Sequence, residues 1–166
     1  MNLTIKKMET EDEIKGKAYV HWRSWKEAYA GIVDQQYLDE LTLDKCESIA
    51  YRWKDNIVIA KDGDRVTGFI AYGKCRDAEL ENAGEIFALY VLSEYYGCGV
   101  GHSLMKAALS QLNEYPVIAL WVLKDNQRAI HFYERCGYHR DGCEQTVLLG
   151  SPLSEVRMIL ENRQHL

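Results

Sequence analysis

The order of apolar patterns along this chain predicts a mixed α/β (α+β) fold. Helical spacing marks the first forty residues, β-rich runs around a turn follow, and strand and helix patterns then alternate to the end. The chain has 166 residues, of which 47% are hydrophobic. A domain of about 150 residues buries roughly 70% of the surface that its unfolded chain exposes. We therefore expect one domain over residues 1–166 that needs no disulfide or structural metal.

The N-terminal part predicts helices. Apolar and aromatic side chains recur there at steps of three and four residues and form one stripe: Ile14, Ala18, His21, Trp22, Trp25 and Tyr29. Gly31 ends this helix, and Asp34–Leu38 begins a short second one. The segment Cys46–Trp53 continues the helical region. The first forty residues are thus expected to be helical.

The remaining segments predict a sheet and two further helices. The turn signal Asp62-Gly63-Asp64 separates two β-rich runs. One helix follows the glycines near position 100 and ends near Tyr115, and another occupies Asn126–Cys136. The run Val117–Leu123 is apolar throughout, which suggests a strand covered on both faces. The expected strands are Ile57–Ala60, Val66–Tyr72, Glu85–Leu92, Val117–Leu123, Cys143–Leu149 and Glu155–Glu161.

Charge and composition exclude several classes of protein. The net charge of −5 predicts no nucleic-acid partner, because the field of an acidic chain repels phosphates. Five cysteines without a C-x-x-C pair indicate a reducing compartment, and the histidines lack metal-ligand spacing, so no metal is expected. No apolar run approaches the ~20 residues of a membrane span, and the N-terminus lacks a signal-peptide pattern. We expect a cytoplasmic protein with no membrane partner.

The most informative stretch is the turn Tyr96-Gly97-Cys98-Gly99-Val100-Gly101-His102, which joins a strand to a helix. Glycines let the backbone approach a ligand closely, and the first N–H groups of a helix lack internal partners. Together they form a cradle for a diphosphate, even in an acidic chain. A P-loop needs Lys after the glycines, and a dinucleotide fingerprint needs glycine at His102 or Leu104. The remaining candidate is the coenzyme A turn, [QR]-x-x-G-x-[GA].

This turn resembles motif A of the GNAT superfamily of N-acetyltransferases, with Gly99 and Gly101 as the two glycines of the motif. The segment Leu120–Tyr138 resembles the next signature of that family, in which a strand ends in Asn and is followed by Ala, Phe-Tyr and Gly-Tyr. The resemblance runs from roughly Ile57 to Glu161. It implies a mostly antiparallel, splayed central sheet flanked by helices, with acetyl-CoA as the acetyl donor.

The resemblance also implies which residues contact the cofactor. Leu89, Tyr90 and Val91 are expected to pair with the pantetheine arm as an extra strand. The slot for that arm forms where their strand splays from Val117–Leu123. Asn126 is expected to cap the following helix and to contact the arm as well.

One departure from the family pattern concerns Tyr96, which stands where the family has Gln or Arg. A Tyr lacks the cationic contact of an Arg, so cofactor binding is expected to be weaker rather than lost. The backbone N–H groups of Tyr96 and Cys98 can still serve the phosphates. His102 is expected at an exposed helix start.

In this family the amine attacks the thioester directly and coenzyme A leaves as a thiolate, which requires a base, an oxyanion donor and an acid. The resemblance places Tyr133 as the general acid; the alternative is a plain core aromatic. Glu85 is the candidate general base, acting directly or through water. By period two it shares a face with Phe87, Leu89 and Val91, of which it is the polar outlier. The alternative for Glu85 is a solvated strand end.

The acceptor is expected to be a primary amine of a small molecule or protein, and the acidic surface favours a cationic one. The walls of its site are expected in the region Tyr29–Leu38 and in the loop near Gly150-Ser151-Pro152. Two alternatives stay open: a non-catalytic acyl-CoA-binding regulatory module, which Tyr96 favours, and an acyltransferase for a longer acyl-CoA. An exposed edge strand near the C-terminus favours a homodimer.

Overall fold

The computed structural model describes residues 1–162. Polar side chains cap the helices: Thr10 accepts from the backbone of Glu13 before α1 (Glu11–Ala28), and Thr42 caps α3 (Leu43–Arg52). The other helices are α2 (Gln35–Glu40), α4 (Val100–Gln111) and α5 (Gln127–Arg135), and Ser93–Tyr95 is a 3₁₀ turn. The strands are β1 (Leu3–Lys7), β2 (Ile57–Asp62), β3 (Arg65–Lys74), β4 (Ala83–Val91), β5 (Val117–Leu123), β6 (His139–Leu149) and β7 (Ser151–Glu161).

Within residues 1–162 the strands form one sheet of seven in the order β1-β2-β3-β4-β5-β7-β6. Neighbouring strands are antiparallel except β4 and β5, which are parallel because α4 crosses over between them. Helices α4 and α5 pack on one face, and α1 and α3 on the other. The predicted mixed, mostly antiparallel sheet flanked by helices is confirmed. No helix in this described range combines the length and apolar character needed to span a membrane.

Strand β1 corrects the expectation that the first forty residues are helical. Leu3–Lys7 pairs antiparallel with β2, with Leu3 opposite Asp62 and Lys7 opposite Val58. Leu3 and Ile5 pack against the core, but two apolar residues in five give too weak a local pattern. The pairing with β2, far along the chain, satisfies the backbone of this edge strand.

The β6–β7 hairpin is longer than the sequence predicts. The expected strands begin at Cys143 and Glu155, whereas β6 begins at His139 and β7 at Ser151. The loop expected near Gly150-Ser151-Pro152 is a tight turn at Gly150, whose φ is +78°, and its other two residues belong to β7. Pro152 is tolerated because β7 has only β6 as a neighbour there.

A β-bulge at Phe87 interrupts β4. Ile86 and Ala88 face consecutive residues of β3, Tyr72 and Ala71, so Phe87 is the extra residue between them. An inserted residue reverses the alternation of side chains between the two faces of the sheet. After the bulge, the residues of β4 that face α4 are the odd-numbered ones, whereas before it they are the even-numbered ones.

This reversal changes the face that Glu85 occupies. Ile86 before the bulge and Leu89 and Val91 after it all pack in the core beneath α4. Glu85 precedes Ile86 and so lies on the opposite face, where Tyr90 packs. The expectation that Glu85 shares a face with Leu89 and Val91 is wrong, because period-two counting does not register an inserted residue.

Strands β4 and β5 are paired over only part of their length. The ladder runs from Ala83 opposite Val117 to Ile86 opposite Leu120 and ends there. Beyond it, β4 stays paired with β3 and β5 stays paired with β7. The predicted slot between the two strands is therefore present.

Candidate functional site

A cavity of about 620 Å³ opens where β4 and β5 separate. Its walls come from both strands, from the start of α4, from α5, from the C-terminal half of α1 and from the β6–β7 hairpin. Every predicted cofactor residue except Cys98 lines this cavity, and so does Tyr133, whereas Glu85 does not. A second cavity of about 560 Å³, between α4 and β7, contacts none of the predicted site residues.

The glycine turn has the backbone that its sequence requires. Gly97 and Gly99 have φ values of +76° and +82°, in the left-handed region that L side chains rarely adopt. Gly101 is needed for a different reason, because a Cβ there would lie 3.1 Å from the ring of Phe132. The turn thus brings α4 and α5 into close contact at one end of the cavity.

The N–H groups of this turn divide into two sets. Those of Tyr96 and Cys98 donate to the carbonyls of Ser93 and Tyr95, at 3.1 and 3.3 Å, so both groups are engaged within the turn. The first helical bond of α4 runs from Ser103 to Gly99, which leaves the N–H groups of Val100, Gly101 and His102 without intrahelical partners. The N–H groups left free to bind an anion are therefore those at the start of α4, whereas those of Tyr96 and Cys98 are already engaged within the turn.

A cation that the sequence analysis missed lies at the turn. The guanidinium carbon of Arg128, in the first turn of α5, is 3.4 Å from the ring centroid of Tyr96. Both residues line the cavity. A stacked guanidinium of this kind gains from cation–π attraction and keeps its N–H donors free at its edge. Tyr96 thus holds a cation at the turn although it carries none itself.

The predicted strand and cap residues occupy the long wall of the cavity. Leu89, Tyr90 and Val91 pair with β3 on one edge, and their other edge faces the slot. Asn126 caps α5, since its Oδ1 accepts from the N–H of Ala129 at 3.2 Å. The imidazole of His102 is exposed, and its Nδ1 lies 3.7 Å from Sγ of Cys136.

Tyr133 lies on α5 with its ring in the cavity wall, 5.5 Å from the ring of Phe132 and 5.9 Å from that of Tyr138. Burial raises the pKa of Tyr133 well above its usual range, and nearby Tyr90 and Cys136 act in the same direction. The phenol therefore keeps its proton at neutral pH. A protonated phenol at the cavity wall has the chemistry of a general acid.

Glu85 lies outside this arrangement. Its carboxylate is 3% exposed and accepts from the backbone N–H and the guanidinium of Arg76, at 3.1 and 2.8 Å. The next two residues of β4, Ile86 and Phe87, line the cavity. The structure thus places Glu85 beside the cavity, with its carboxylate engaged by Arg76.

Another part of the cavity wall is aromatic. Trp25 of α1 packs edge to face on Tyr29, the residue after α1, and the hydroxyl of Tyr29 lies 3.0 Å from that of Tyr90 on β4. Of the predicted wall, Tyr29 lines the cavity, whereas Asp34, Tyr37 and Gly150 do not; a Cβ at Gly150 would lie 2.9 Å from the Cβ atoms of Asp34 and Tyr37. The β6–β7 turn therefore packs directly on the start of α2. We call the region of Trp25, Tyr29, Tyr90 and Glu155 the acceptor end.

Glu155 was not among the predicted site residues. It opens the predicted last strand, where a charged side chain is typical of an exposed strand end. Burial raises the pKa values of Tyr29 and Tyr90, and the charge of Glu155 adds to both shifts. Only the register of β7 against β5, which sets Glu155 opposite Leu123, brings its carboxylate to the cavity.

Among residues 1–162, no three or more His, Cys, Asp or Glu side chains are grouped so that they could hold a metal ion. The groups that line the cavity are instead hydrogen-bond donors, aromatic rings, three basic side chains and one carboxylate.

Comparisons with known proteins agree with this geometry. The family model described as the acetyltransferase (GNAT) family matches residues 19–138. The uncharacterized N-acetyltransferase YuaI of Bacillus subtilis (strain 168) is 29% identical over 161 residues, covering 93% of this chain and 90% of YuaI.

Two solved structures share the fold. PH1933 from Pyrococcus horikoshii OT3 has a TM-score of 0.73 and 27% identity, and the match covers 96% of this chain and 98% of PH1933. The PaiA N-acetyltransferase from Thermoplasma acidophilum, solved in complex with coenzyme A, has a TM-score of 0.75 and 23% identity. That match covers 97% of this chain and 99% of PaiA.

Proposed function

The chain belongs to the GNAT family of acetyltransferases, and on that premise we propose that it transfers the acetyl group of acetyl-CoA to a primary amine of a small molecule or protein. Membership of the family makes it an acetyl-CoA-dependent N-acetyltransferase, and curated relatives are named N-acetyltransferases. The observation that carries the finer proposal is the cavity, where the glycine turn, the open edge of β4 and Tyr133 meet.

The residues at the turn fit an acyl-CoA. The free N–H groups at the start of α4 would hold the diphosphate, and the guanidinium of Arg128 would supply a cation beside them. The open edge of Leu89–Val91 offers peptide groups to the pantetheine arm as an added strand. When bound, acetyl-CoA supplies the activated acetyl group. The coenzyme A in the PaiA structure supports this assignment.

Tyr133 is the proposed general acid. The amine attacks the thioester carbon, and the tetrahedral intermediate then expels the thiolate, which takes a proton from the phenol. Burial raises the pKa of this phenol, so it is a weaker acid than an exposed tyrosine and gives up its proton only to a strong base. An emerging alkyl thiolate is such a base only if it is poorly solvated, as it is in a cavity with apolar walls.

Glu85 stays a prediction as general base. Its carboxylate faces Arg76 and lies outside the cavity lining, so deprotonation of the amine by Glu85 requires a water relay. Some base is needed because an alkylamine has a pKa of about 10.4 and reacts only when neutral. Glu85→Gln separates the two roles: a base loses kcat at neutral pH, whereas a structural partner of Arg76 loses stability instead.

The alternative of a regulatory acyl-CoA module rested on Tyr96. Arg128 stacks on Tyr96, so the turn has a cation although its own sequence lacks one. The cavity also contains Tyr133 and the aromatic acceptor end. A module that only binds acyl-CoA does not need these groups. These observations favour the enzyme over the module.

Calorimetric titration with acetyl-CoA, with NAD as the control ligand, tests the cofactor half of the proposal. We expect saturable binding of acetyl-CoA, competition by coenzyme A and no binding of NAD. Release of the coenzyme A thiol is then followed with a panel of primary amines. Absence of acetyl-CoA binding contradicts the proposal, and binding without turnover on any amine favours the regulatory module.

Gly99→Ala, matched against Gly63→Ala, tests the turn itself. Both glycines have positive φ, +82° and +59°, and open space at the Cβ position, so the backbone strain of Ala is similar, about 1–2 kcal/mol. Only Gly99 lines the cavity. We expect Gly99→Ala alone to weaken acetyl-CoA binding, by about tenfold, the value of one charge-assisted hydrogen bond. Equal binding by the two variants contradicts the role of the turn.

A further inference from the structure

We propose that Glu155 is the acceptor-recognition residue and that it selects an aliphatic primary amine without a carboxylate beside the amine. This inference rests on the proposed function, because it names the substrate class of the same cavity. It depends on three observations: the charge distribution in the cavity, the bonding of Glu155, and the aromatic side chains around it.

The basic and acidic side chains of the cavity stand on different elements. Its basic side chains, His102, Arg128 and Arg135, stand on α4 and α5. Glu155 is the only carboxylate among the described residues that line the cavity, and it stands on β7. The anionic donor and a cationic acceptor would therefore be drawn to different ends. A ligand with the reverse charge would be repelled from each end.

The charge of Glu155 is not neutralised by a cation of the described chain. Its neighbour is the amide of Gln145, whose Nε2 donates to Oε1 at 3.0 Å. Several other carboxylates are paired with basic side chains, as Glu13 is with Lys6, Glu85 with Arg76 and Glu144 with Lys124. The neutral amide fixes the carboxylate in place and leaves its charge for a ligand.

Aromatic side chains complete a site for an ammonium group. The rings of Trp25 and Tyr29 meet edge to face at 4.9 Å, and those of Tyr29 and Tyr90 do so at 6.3 Å. Glu155 lines the same cavity as Trp25, Tyr29 and Tyr90, so a ligand held by its carboxylate can also contact these rings. An alkylammonium gains from a carboxylate and from ring faces together, while its alkyl chain packs on the apolar wall.

The same arrangement rejects two related compounds. A neutral alcohol of equal length fills the apolar wall but leaves Glu155 without a counter-charge. An α-amino acid brings its own carboxylate next to its amine, and that group would approach Glu155 with like charge. The acceptor is therefore a compound that carries an ammonium group and no carboxylate next to it.

Glu155→Gln and the control Glu144→Gln test the proposal with three probes: n-pentylamine, 1-pentanol and norleucine. Both variants remove one carboxylate, but Glu144 is exposed on β6 and does not line the cavity. In Glu155→Gln we expect KM for n-pentylamine to rise about tenfold, with kcat and acetyl-CoA affinity within twofold of wild type. Glu144→Gln should match wild type, and Glu155→Asp should recover part of the loss.

Binding of the same probes is measured separately, through the fluorescence of Trp25 and Trp121, which both line the cavity. We expect wild type to bind n-pentylamine at least tenfold more tightly than 1-pentanol or norleucine. Equal affinities for the three probes, or an unchanged KM in Glu155→Gln, overturn the assignment of Glu155. Failure of the proposed function is seen elsewhere, as absence of acetyl-CoA binding, because Glu155 takes no part in that binding.

Discussion

The two ends of the cavity differ in charge and in the way they are built. At the turn end, the groups proposed to bind the donor are backbone N–H groups of Val100–His102, with the guanidinium of Arg128 beside them. At the acceptor end, the groups are side chains that come from α1, β4 and β7. If the proposal holds, an acidic chain recognises a polyanion and a cationic amine in one cavity through local groups rather than through its net charge.

This difference separates affinity from specificity. Backbone N–H groups are present whatever the side chains, so substitutions outside the glycines leave most of the turn end intact. The acceptor end depends on side-chain chemistry, so one substitution there changes which amine is accepted. Changes at the turn end should therefore act on every amine alike, and changes at the acceptor end should act on selected amines. The following predictions test this separation.

The largest effect is expected between the two ends, at Tyr133. We expect Tyr133→Phe to lower kcat about 10²–10³-fold, because the thiolate loses its proton donor. KM for acetyl-CoA and for the amine should change little, since neither end of the cavity is altered. Steady-state kinetics with each substrate varied in turn measures both parameters.

Tyr138→Phe is the matched control for that variant. The ring of Tyr138 is 5.9 Å from that of Tyr133, and its hydroxyl is buried with no hydrogen-bond partner in residues 1–162. Removing this hydroxyl costs no bond, so kcat should stay at the wild-type value and stability should be equal or higher. Equal loss of kcat in the two Phe variants would mean that the effect is structural and that Tyr133 is not the acid.

The turn end was largely predictable from the sequence, and the acceptor end was not. A glycine turn between a strand and a helix is encoded within seven consecutive residues, so its pattern specifies both backbone and chemistry. The position of Glu155 in the cavity depends on the register of β7 against β5. No local sequence pattern predicts that register. Arg128 was visible in the sequence, but its stacking on Tyr96 depends on the packing of α5 against the turn.

The same distinction holds for the fold. Helices α1, α4 and α5 were predicted because amphipathic spacing and capping residues are local. Strand β1 and the ends of β6 and β7 were missed because they depend on pairing with distant strands. The bulge at Phe87 reversed the face of Glu85, because a single inserted residue leaves no mark in the apolar pattern.

A smaller effect is expected from Arg128→Ala at the turn end. We expect the acetyl-CoA dissociation constant to rise about tenfold at low salt, because one cation beside the diphosphate is lost. The increase should be the same whichever amine is present, and it should shrink at high ionic strength as the charges are screened. Calorimetric titration at two salt concentrations measures both effects.

Arg52→Ala is the control for charge alone. Arg52 is exposed in the last turn of α3 and does not line the cavity, so its loss should leave acetyl-CoA binding unchanged.

Tyr96→Leu keeps Arg128 but removes the ring on which it stacks, and we expect acetyl-CoA binding to weaken by about two- to fivefold. Wild-type affinity in Arg128→Ala would show that Tyr96 and Arg128 do not compensate for the missing cation of the turn.

The smallest effect is a pH dependence of stability from His21, which supports the acceptor end. Its ring stacks on that of Tyr90 at 6.1 Å and meets Trp25 edge to face at 5.8 Å. Burial, and then the charge of Lys17, lowers the pKa of His21 to about 4. The imidazole is therefore neutral in the folded protein at pH 7.

Because the folded pKa of His21 lies below the unfolded value of about 6.5, the unfolded state takes up the proton first. The contribution of His21 to stability is therefore complete above pH 6.5 and is lost as the pH falls towards 4. Between pH 7 and pH 5 we expect a loss on the order of 1–2 kcal/mol, measured by urea unfolding. His21→Phe should flatten the curve in this range, whereas His131→Phe, at an exposed position of α5, should keep the wild-type slope. An equal slope in His21→Phe and wild type would show that the aromatic packing of the acceptor end does not depend on a neutral histidine.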